Sequence, residues 1–376
     1  MRDLLAHADL AGYAGQFVWL ELSYDEATNR PFLTKFSAQA TPTFFVIDPQ
    51  DERVTAMRPG VMSLPELTQF LDRGKSSVAE KNQVPADAAL TQGDALLAEK
   101  PAEAIKAYRE ALRLAPAGWP HHELTEASLV QALQDSNQWQ ECAETASAQA
   151  VQMKRDVIFA RTVVAGMWCV VSTDPAPWAD AQLAKLKPLA LEALTLSTTV
   201  RDHRDAIYRT LMYASVARHD ETSAAQWGDR WLAELDAIKP ASDEERSALD
   251  IARVENIQVL GNPERILPAL LDSERAMPNN YIASLRLAQM ESAAKHSDEA
   301  IAACDRGLAR APGPNGRAWL LQIKATALAA KGQKEQARRA LEEALRSAQA
   351  IPNKMARDMN VKNISNRLQA TQKEKN

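Results

Sequence analysis

The stretch Ala300 to Pro312, which reads AIAACDRGLARAP, decides how most of this 376-residue chain folds. Four of its positions are separated by four, three and five residues: Ala300, Cys304, Gly307 and Pro312. The same separations occur 34 residues upstream and again near residue 100, at Ile266, Leu270, Ser273 and Pro278 and at Ala104, Tyr108, Ala111 and Pro116. A spacing that recurs in register predicts a repeated helical unit.

The order of small and large residues in this pattern has a physical reason. Small side chains at the first and third positions let two helices approach closely, the larger residue fills the groove between neighbouring units, and proline ends the helix. Weaker copies lie at Ala337, Leu341 and Ala344, at Ala224, Gly228 and Trp231, at Cys142 and Ala146, and at Ala184 with Pro188. The alternative is an antiparallel helix bundle in which the spacing recurs by chance.

These positions resemble the second helix of the tetratricopeptide repeat. The resemblance covers roughly residues 87 to 350 and is weakest from about 120 to 240. It implies about seven helix pairs in an α-α superhelical solenoid, whose concave face binds a protein or peptide. The Lys and Asn set with which some such arrays clamp a terminal carboxylate is not found: the corresponding helices offer Arg286, Gln289, Trp319 and Gln322.

The stretch Ala40 to Pro49, ATPTFFVIDP, predicts a different structure near the N-terminus. Thr43 to Ile47 is typical of a strand, and a second strand near Arg53 to Met57 would complete a hairpin. The apolar run Phe17 to Leu22 predicts another strand, buried on both faces as in a parallel sheet. A helix from about residue 63 would end at Gly74.

This order resembles the second half of the thioredoxin fold, without its first strand and its Cys-x-x-Cys motif. The resemblance implies that Thr41 and Pro42 form the substrate-facing loop, with a cis peptide bond before Pro42. The alternative is an ordinary strand that begins after a proline. Without the missing strand, two strands would keep unpaired backbone groups. Either the two strands pair directly with each other, or residue 1 lies inside a longer gene. We expect the second.

The predicted fold class is therefore an α+β multidomain protein that is mostly α. Residues 1–74 form the truncated thioredoxin-like α/β module and residues 75–86 a linker. Residues 87–365 form the tetratricopeptide-like array, and residues 366–376 a polar C-terminal tail that frays.

Charge and hydropathy exclude two classes of partner. The net charge is −5 and no basic run occurs, so no nucleic-acid partner is predicted. The longest apolar run, Val163 to Val171, is far shorter than the roughly 20 residues of a membrane helix. Charges follow Met1 where a signal peptide needs apolar residues, which predicts a cytoplasmic chain without membrane contact.

The search for catalytic residues predicts no catalytic, cofactor or metal site. Cys142, Cys169 and Cys304 each lie in an apolar helical pattern, which predicts buried, slowly reacting thiols and no disulfide framework. No cysteine precedes Cys142, so the N-terminal module has no thiolate to attack a disulfide. The adjacent His121 and His122 predict solvent exposure rather than a metal site.

The predicted function is non-catalytic protein binding by the helical array. The alternative is a fragment of a thiol-disulfide oxidoreductase whose Cys-x-x-Cys motif lies upstream of this start. A third hypothesis is an assembly scaffold in which the thioredoxin-like part is only structural. Whether the chain is an enzyme stays open at this point.

Overall fold

The computed structural model describes residues 5, 7–23, 26–36, 42–59, 62, 64–79, 84–97, 99–173 and 176–373. The chain is mostly helical and forms two compact units, Met1–Asp220 and Glu221–Asn376. The predicted domain boundaries stay predictions, although residues 75–79 and 85–86 of the proposed linker and 366–373 of the proposed tail are helical.

The predicted hairpin is confirmed. Strand β1 (Thr43–Ile47) pairs antiparallel with β2 (Val54–Pro59), with Phe44 opposite Arg58. The Thr55 hydroxyl donates a hydrogen bond to the Val46 carbonyl at 3.1 Å, which ties the two strands near the turn. Helix α1 (Arg30–Lys35) precedes the hairpin.

Helix α2 (Leu64–Ala79) packs on the hairpin and passes through Gly74, so the prediction that Gly74 ends it is wrong. A Cβ atom at residue 74 would lie 2.7 Å from the Val46 side chain. The glycine therefore allows close approach of α2 to β1. The shared core is formed by Leu10, Val46, Ala56, Met62, Leu67, Phe70 and Leu71.

The predicted strand at 17–22 does not form. The segment has no strand pairing, and Val18 and Leu20 are 89% and 71% exposed. An apolar run becomes a buried strand only where neighbouring strands bond to its backbone. In the part of the chain that the structure describes, the sheet has two strands, and each pairs with the other. A thioredoxin-like sheet is therefore not shown.

The rest of the first unit is a series of helices joined by short loops. Consecutive helices pack on each other, and α5, α7 and α9 also neighbour one another. The bounds are Pro85–Leu97 for α3, Pro101–Leu114 for α4, His122–Asp135 for α5, Trp139–Ala150 for α6, Val157–Val171 for α7, Pro177–Thr195 for α8 and Arg201–Val216 for α9.

The second unit repeats this arrangement. Its helices pack as successive hairpins, and α11, α13 and α15 neighbour one another. The bounds are Glu221–Ala237 for α10, Asp243–Leu260 for α11, Leu267–Ala276 for α12, Tyr281–Ala293 for α13, Ser297–Ala309 for α14, Pro314–Ala330 for α15, Lys334–Gln349 for α16 and Lys354–Lys373 for α17. This is a tetratricopeptide-like packing of helix pairs.

The signature positions lie where the spacing predicts. Ala300, Cys304 and Gly307 are buried in α14, and Tyr108 in α4 fills the space above Gly93 of α3. The helices before Pro116, Pro278 and Pro312 end two or three residues before the proline.

The weak copy at Ala184 is wrong in register. Ala184 and Pro188 are exposed, whereas Gln182, Leu186 and Ala190 are buried. Pro188 lies inside α8 on its exposed side, where water can bond to the carbonyl that a proline leaves unpaired. A proline was therefore a poor marker of this repeat.

The cysteines are buried as predicted, but two of them are not thiols. Cys142 of α6 and Cys169 of α7 form a disulfide with a Cα–Cα distance of 6.2 Å, and neither is exposed. The prediction that the chain has no disulfide is therefore wrong, because helical packing brings together two positions that are 27 residues apart. Cys304 remains a buried thiol, and burial raises its pKa to about 12.

Candidate partner-binding surface

In the second unit, the first helix of each pair and the terminal helix α17 lie side by side. Arg286 Nη1 of α13 donates to Ser247 Oγ of α11 at 2.8 Å. Helix α13 packs on α15, and Arg367 Nη2 of α17 donates to Thr326 Oγ1 of α15 at 2.7 Å. We call the surface formed by α11, α13, α15 and α17 the first-helix face.

Trp319 is an exposed large aromatic residue of this face. Its side chain on α15 is 46% exposed, although tryptophan usually packs in a core. Gln322, Ile323 and Thr326 follow it at helical spacing and are at least partly exposed, so they extend one side of α15. An exposed aromatic residue among polar neighbours is the composition typical of binding hot spots.

Arg286 supplies the charge on the neighbouring helix. It is partly buried, and burial lowers the pKa of its guanidinium while the nearby Asp250 acts in the opposite direction. Asp250 is fully buried and accepts hydrogen bonds from Ser273 Oγ at 3.0 Å and Arg253 Nη1 at 3.2 Å. Burial raises the pKa of the Asp250 carboxyl despite these bonds. The hydrogen bond to Ser247 thus orders Arg286, and the nearby Asp250 favours its charged form.

A buried carboxylate fixes the position of α13. Glu274 of α12 accepts hydrogen bonds from Ser284 Oγ at 2.5 Å and from Arg306 Nη2 at 2.7 Å, and Arg310 Nη2 lies 3.8 Å away. Burial acts to raise the pKa of Glu274, but the hydrogen bonds from Arg306 and Ser284 outweigh it and hold the pKa below its usual value. This network locks α12, α13 and α14 together behind the first-helix face.

The four side chains named in the sequence search divide into two pairs. Arg286 and Gln289 lie on α13 and are partly buried, and Trp319 and Gln322 lie on α15 with Trp319 exposed. Sequence reasoning placed them on the right helices. It missed Ser247 and Arg367, because these lie 39 residues from Arg286 and 41 residues from Thr326.

The predicted substrate-binding pair lies at the edge of the described structure. Pro42 is partly buried directly before β1, and Thr41 lies outside the described residues. Their role in substrate binding stays a prediction. Most tryptophans that the sequence offered as anchors are buried or partly buried, including Trp227 and Trp231.

The histidine pair lies at the start of α5. His122 is exposed, whereas the ring centroid of His121 lies 5.7 Å from that of Trp119. Burial lowers the pKa of His121, and Arg73 adds to this effect. Within the described ranges no three His, Cys, Asp or Glu side chains are grouped as metal ligands. None of the described helices is long and apolar enough to cross a membrane.

His203 of α9 gives the first unit a pH-dependent stability. Burial, reinforced by Arg58, lowers its pKa from 6.5 to about 4. Below pH 6.5 the unfolded chain therefore binds a proton that the folded chain does not. We expect the neutral His203 to contribute about 1 to 3 kcal/mol to the free energy of unfolding. This contribution should be complete above pH 6.5 and should be lost as the pH falls towards 4.

Urea unfolding of the full chain at a series of pH values checks this expectation. His203→Gln should lose less stability than the wild type between pH 6.5 and pH 4. Carboxylates titrate in both proteins, so the difference between the two profiles isolates His203. Parallel profiles would contradict the assignment.

Comparison with known proteins shows that this chain is similar to solved helical-repeat structures. A tetratricopeptide repeat protein from Parabacteroides merdae is 14% identical, covering 75% of this chain and 99% of that chain, with a TM-score of 0.42. The TPR2AB domain of yeast Sti1 in its pHSP90 complex is 16% identical, covering 74% and 98%, with a TM-score of 0.28. No family model and no curated protein matches. At these TM-scores, the description as tetratricopeptide-like rests on the helix packing of this chain.

Proposed function

We propose that this chain is a non-catalytic protein-binding protein, in which the first-helix face of the second unit holds a protein or peptide. The observation that carries the proposal is Trp319, half-exposed on α15 beside partly exposed polar side chains. Burial of a tryptophan against a partner removes a large apolar area from water, and such residues dominate binding energy. Arg286 adds a cation that is already ordered by Ser247.

The N-terminal hairpin and α2 form, in this proposal, the thioredoxin-like module that lacks redox cysteines. The strand order and the packing of α2 on β1 support it. The sequence has no cysteine before Cys142, and Cys142 itself is fully buried. No cysteine of this sequence therefore supplies a nucleophile to this module.

The disulfide bears on the compartment in which the chain works. Disulfides persist in oxidising compartments and are rare in the reducing cytosol. We therefore propose that the chain works in an oxidising compartment. This proposal differs from the cytoplasmic location that the sequence predicts, because the cytosol is reducing.

Selection of peptides from a random phage-displayed library against the full chain tests the proposed function. Trp319→Ala should lower the affinity of the selected peptides at least tenfold, because truncating an aromatic hot spot costs about 2 kcal/mol or more of binding free energy. Thermal melting of Trp319→Ala should match the wild type, since nearly half of the side chain is exposed.

Trp19→Ala is the matched control. Trp19 is 48% exposed and lies in the first unit. The variant therefore removes the same type of residue at about the same exposure, away from the first-helix face. Selected peptides should bind this variant as they bind the wild type. Peptides that bind Trp319→Ala unchanged, or lose affinity equally in both variants, would contradict the assignment.

A further inference from the structure

Three arginines lie together in the interior of the first unit. Arg58 of β2, Arg73 of α2 and Arg161 of α7 have side chains that are 17%, 8% and 11% exposed. Glu66 Oε1 accepts hydrogen bonds from Arg58 Nη2 at 3.4 Å and from Arg161 Nη1 at 3.2 Å. Asp94 Oδ2 lies 2.5 Å from Arg73 Nη2. Three permanent cations therefore face these two carboxylates.

Glu66 and Arg73 are both buried and lie seven residues apart in α2, which places them on the same side of this helix. Burial and Asp94 raise the pKa of Tyr108, and both Arg73 and Arg58 act against this rise. Arg58 also acts on His203 of α9. Strand β2 and helices α2 and α7 thus bring their arginines to the carboxylates of Glu66 and Asp94.

Several donors in this cluster are buried without a hydrogen-bond partner among the described residues. They are Arg73 Nε and Nη1 and Arg161 Nε and Nη2. A buried donor without an acceptor costs about 1 to 3 kcal/mol, and arginine cannot escape this cost by losing its proton. A fold that keeps four such guanidinium nitrogens in one cluster has them ready for an acceptor.

The arrangement of the donors defines the chemistry of that acceptor. Arg161 binds Glu66 through Nη1, which leaves Nε and Nη2 as an intact fork for two oxygens of an oxyanion. Arg73 adds two further nitrogens. One carboxylate has only two oxygens to share among these donors, whereas a phosphate group presents three or four.

We propose that Arg58, Arg73 and Arg161 form a binding site for a phosphate-type oxyanion, either inorganic phosphate or the phosphate of a monoester. Arg73 and Arg161 bind its oxygens, and Arg58 adds positive charge. The site lies in the first unit and does not depend on the proposed binding of proteins by the second unit.

Isothermal titration of sodium phosphate into the full chain tests this site. We expect one saturable site per chain with a dissociation constant of 1 mM or lower, and a melting temperature that rises with phosphate. Sodium chloride at equal ionic strength should give no such rise, and sodium acetate should bind at least tenfold more weakly. O-phosphoserine in place of phosphate shows whether the site also accepts a monoester, and the proposal requires binding of at least one of the two.

Variants locate the binding. Arg161→Lys keeps the charge and removes the fork, so phosphate affinity should fall at least tenfold. Arg218→Gln is the control, because Arg218 pairs with the exposed Asp180 in the same unit, and this variant should bind phosphate as the wild type does.

Three results would overturn the proposal: no saturable binding of phosphate or phosphoserine, acetate that binds as tightly as phosphate, or unchanged affinity in a folded Arg161→Lys. If Arg161→Lys does not fold, a phosphorus NMR titration of the wild type decides alone. One saturable site per chain would support the proposal, and its absence would reject it.

Discussion

Replacing Asp94 by alanine is expected to destabilise the first unit by about 3 to 5 kcal/mol, because it leaves a buried cation without its counter-charge. Asp94 Oδ2 lies 2.5 Å from Arg73 Nη2, and Asp94 Oδ1 accepts a hydrogen bond from the Tyr108 hydroxyl at 2.9 Å. Tyr108 is fully buried and Arg73 nearly so. The substitution thus leaves the Arg73 guanidinium without its counter-charge and the Tyr108 hydroxyl without its acceptor.

Urea unfolding followed by far-ultraviolet circular dichroism on the full chain measures this loss. Tyr108→Phe is the graded control, since it removes the hydroxyl and leaves the ion pair, and should cost about 1 kcal/mol. A free energy of unfolding for Asp94→Ala within 1 kcal/mol of the wild type would show that Arg73 does not depend on this carboxylate.

Removing the disulfide is expected to cost about 3 to 4 kcal/mol. Cys142 and Cys169 are 27 residues apart in sequence, and closing a loop of this length restricts the unfolded chain by about that amount. The double variant Cys142→Ala with Cys169→Ala avoids leaving a lone buried thiol. Reduction of the unfolded wild type should lower its stability by a similar amount and leave the double variant unchanged.

Thiol counting gives the direct check. In denaturant without reductant the wild type should show one reactive thiol, from Cys304, and after reduction it should show three. In the folded chain Cys304 should react slowly at neutral pH, because burial raises its pKa to about 12. Three thiols before reduction would contradict the bond. Cys304→Ala, which leaves the disulfide intact, should retain its sensitivity to reductant.

Local patterns were read correctly where local forces decide the structure. The strand Thr43–Ile47 was predicted at its observed bounds, because its continuous apolar run and the turn residues that follow lie within a few positions of each other. The buried positions of α14 were predicted from the separations of Ala300, Cys304 and Gly307. Each of these depends on neighbours in the same helix or hairpin.

The misreadings arise where distant residues decide. Arg161 meets Glu66 across 95 residues of sequence, and no spacing rule connects them. The segment 17–22 has the composition of a strand but lacks a paired neighbour among the described residues. Gly74 was taken as a helix end because the closeness of Val46 is visible only in three dimensions.

The Glu274 network makes neighbouring helix pairs specific to each other. The carboxylate comes from α12, but Ser284 and Arg306 come from the next pair, α13 and α14. A pair copied or exchanged by gene duplication would arrive without these partners and bury a charge alone. Recombination at this junction is therefore restricted, and the modules on its two sides must evolve together.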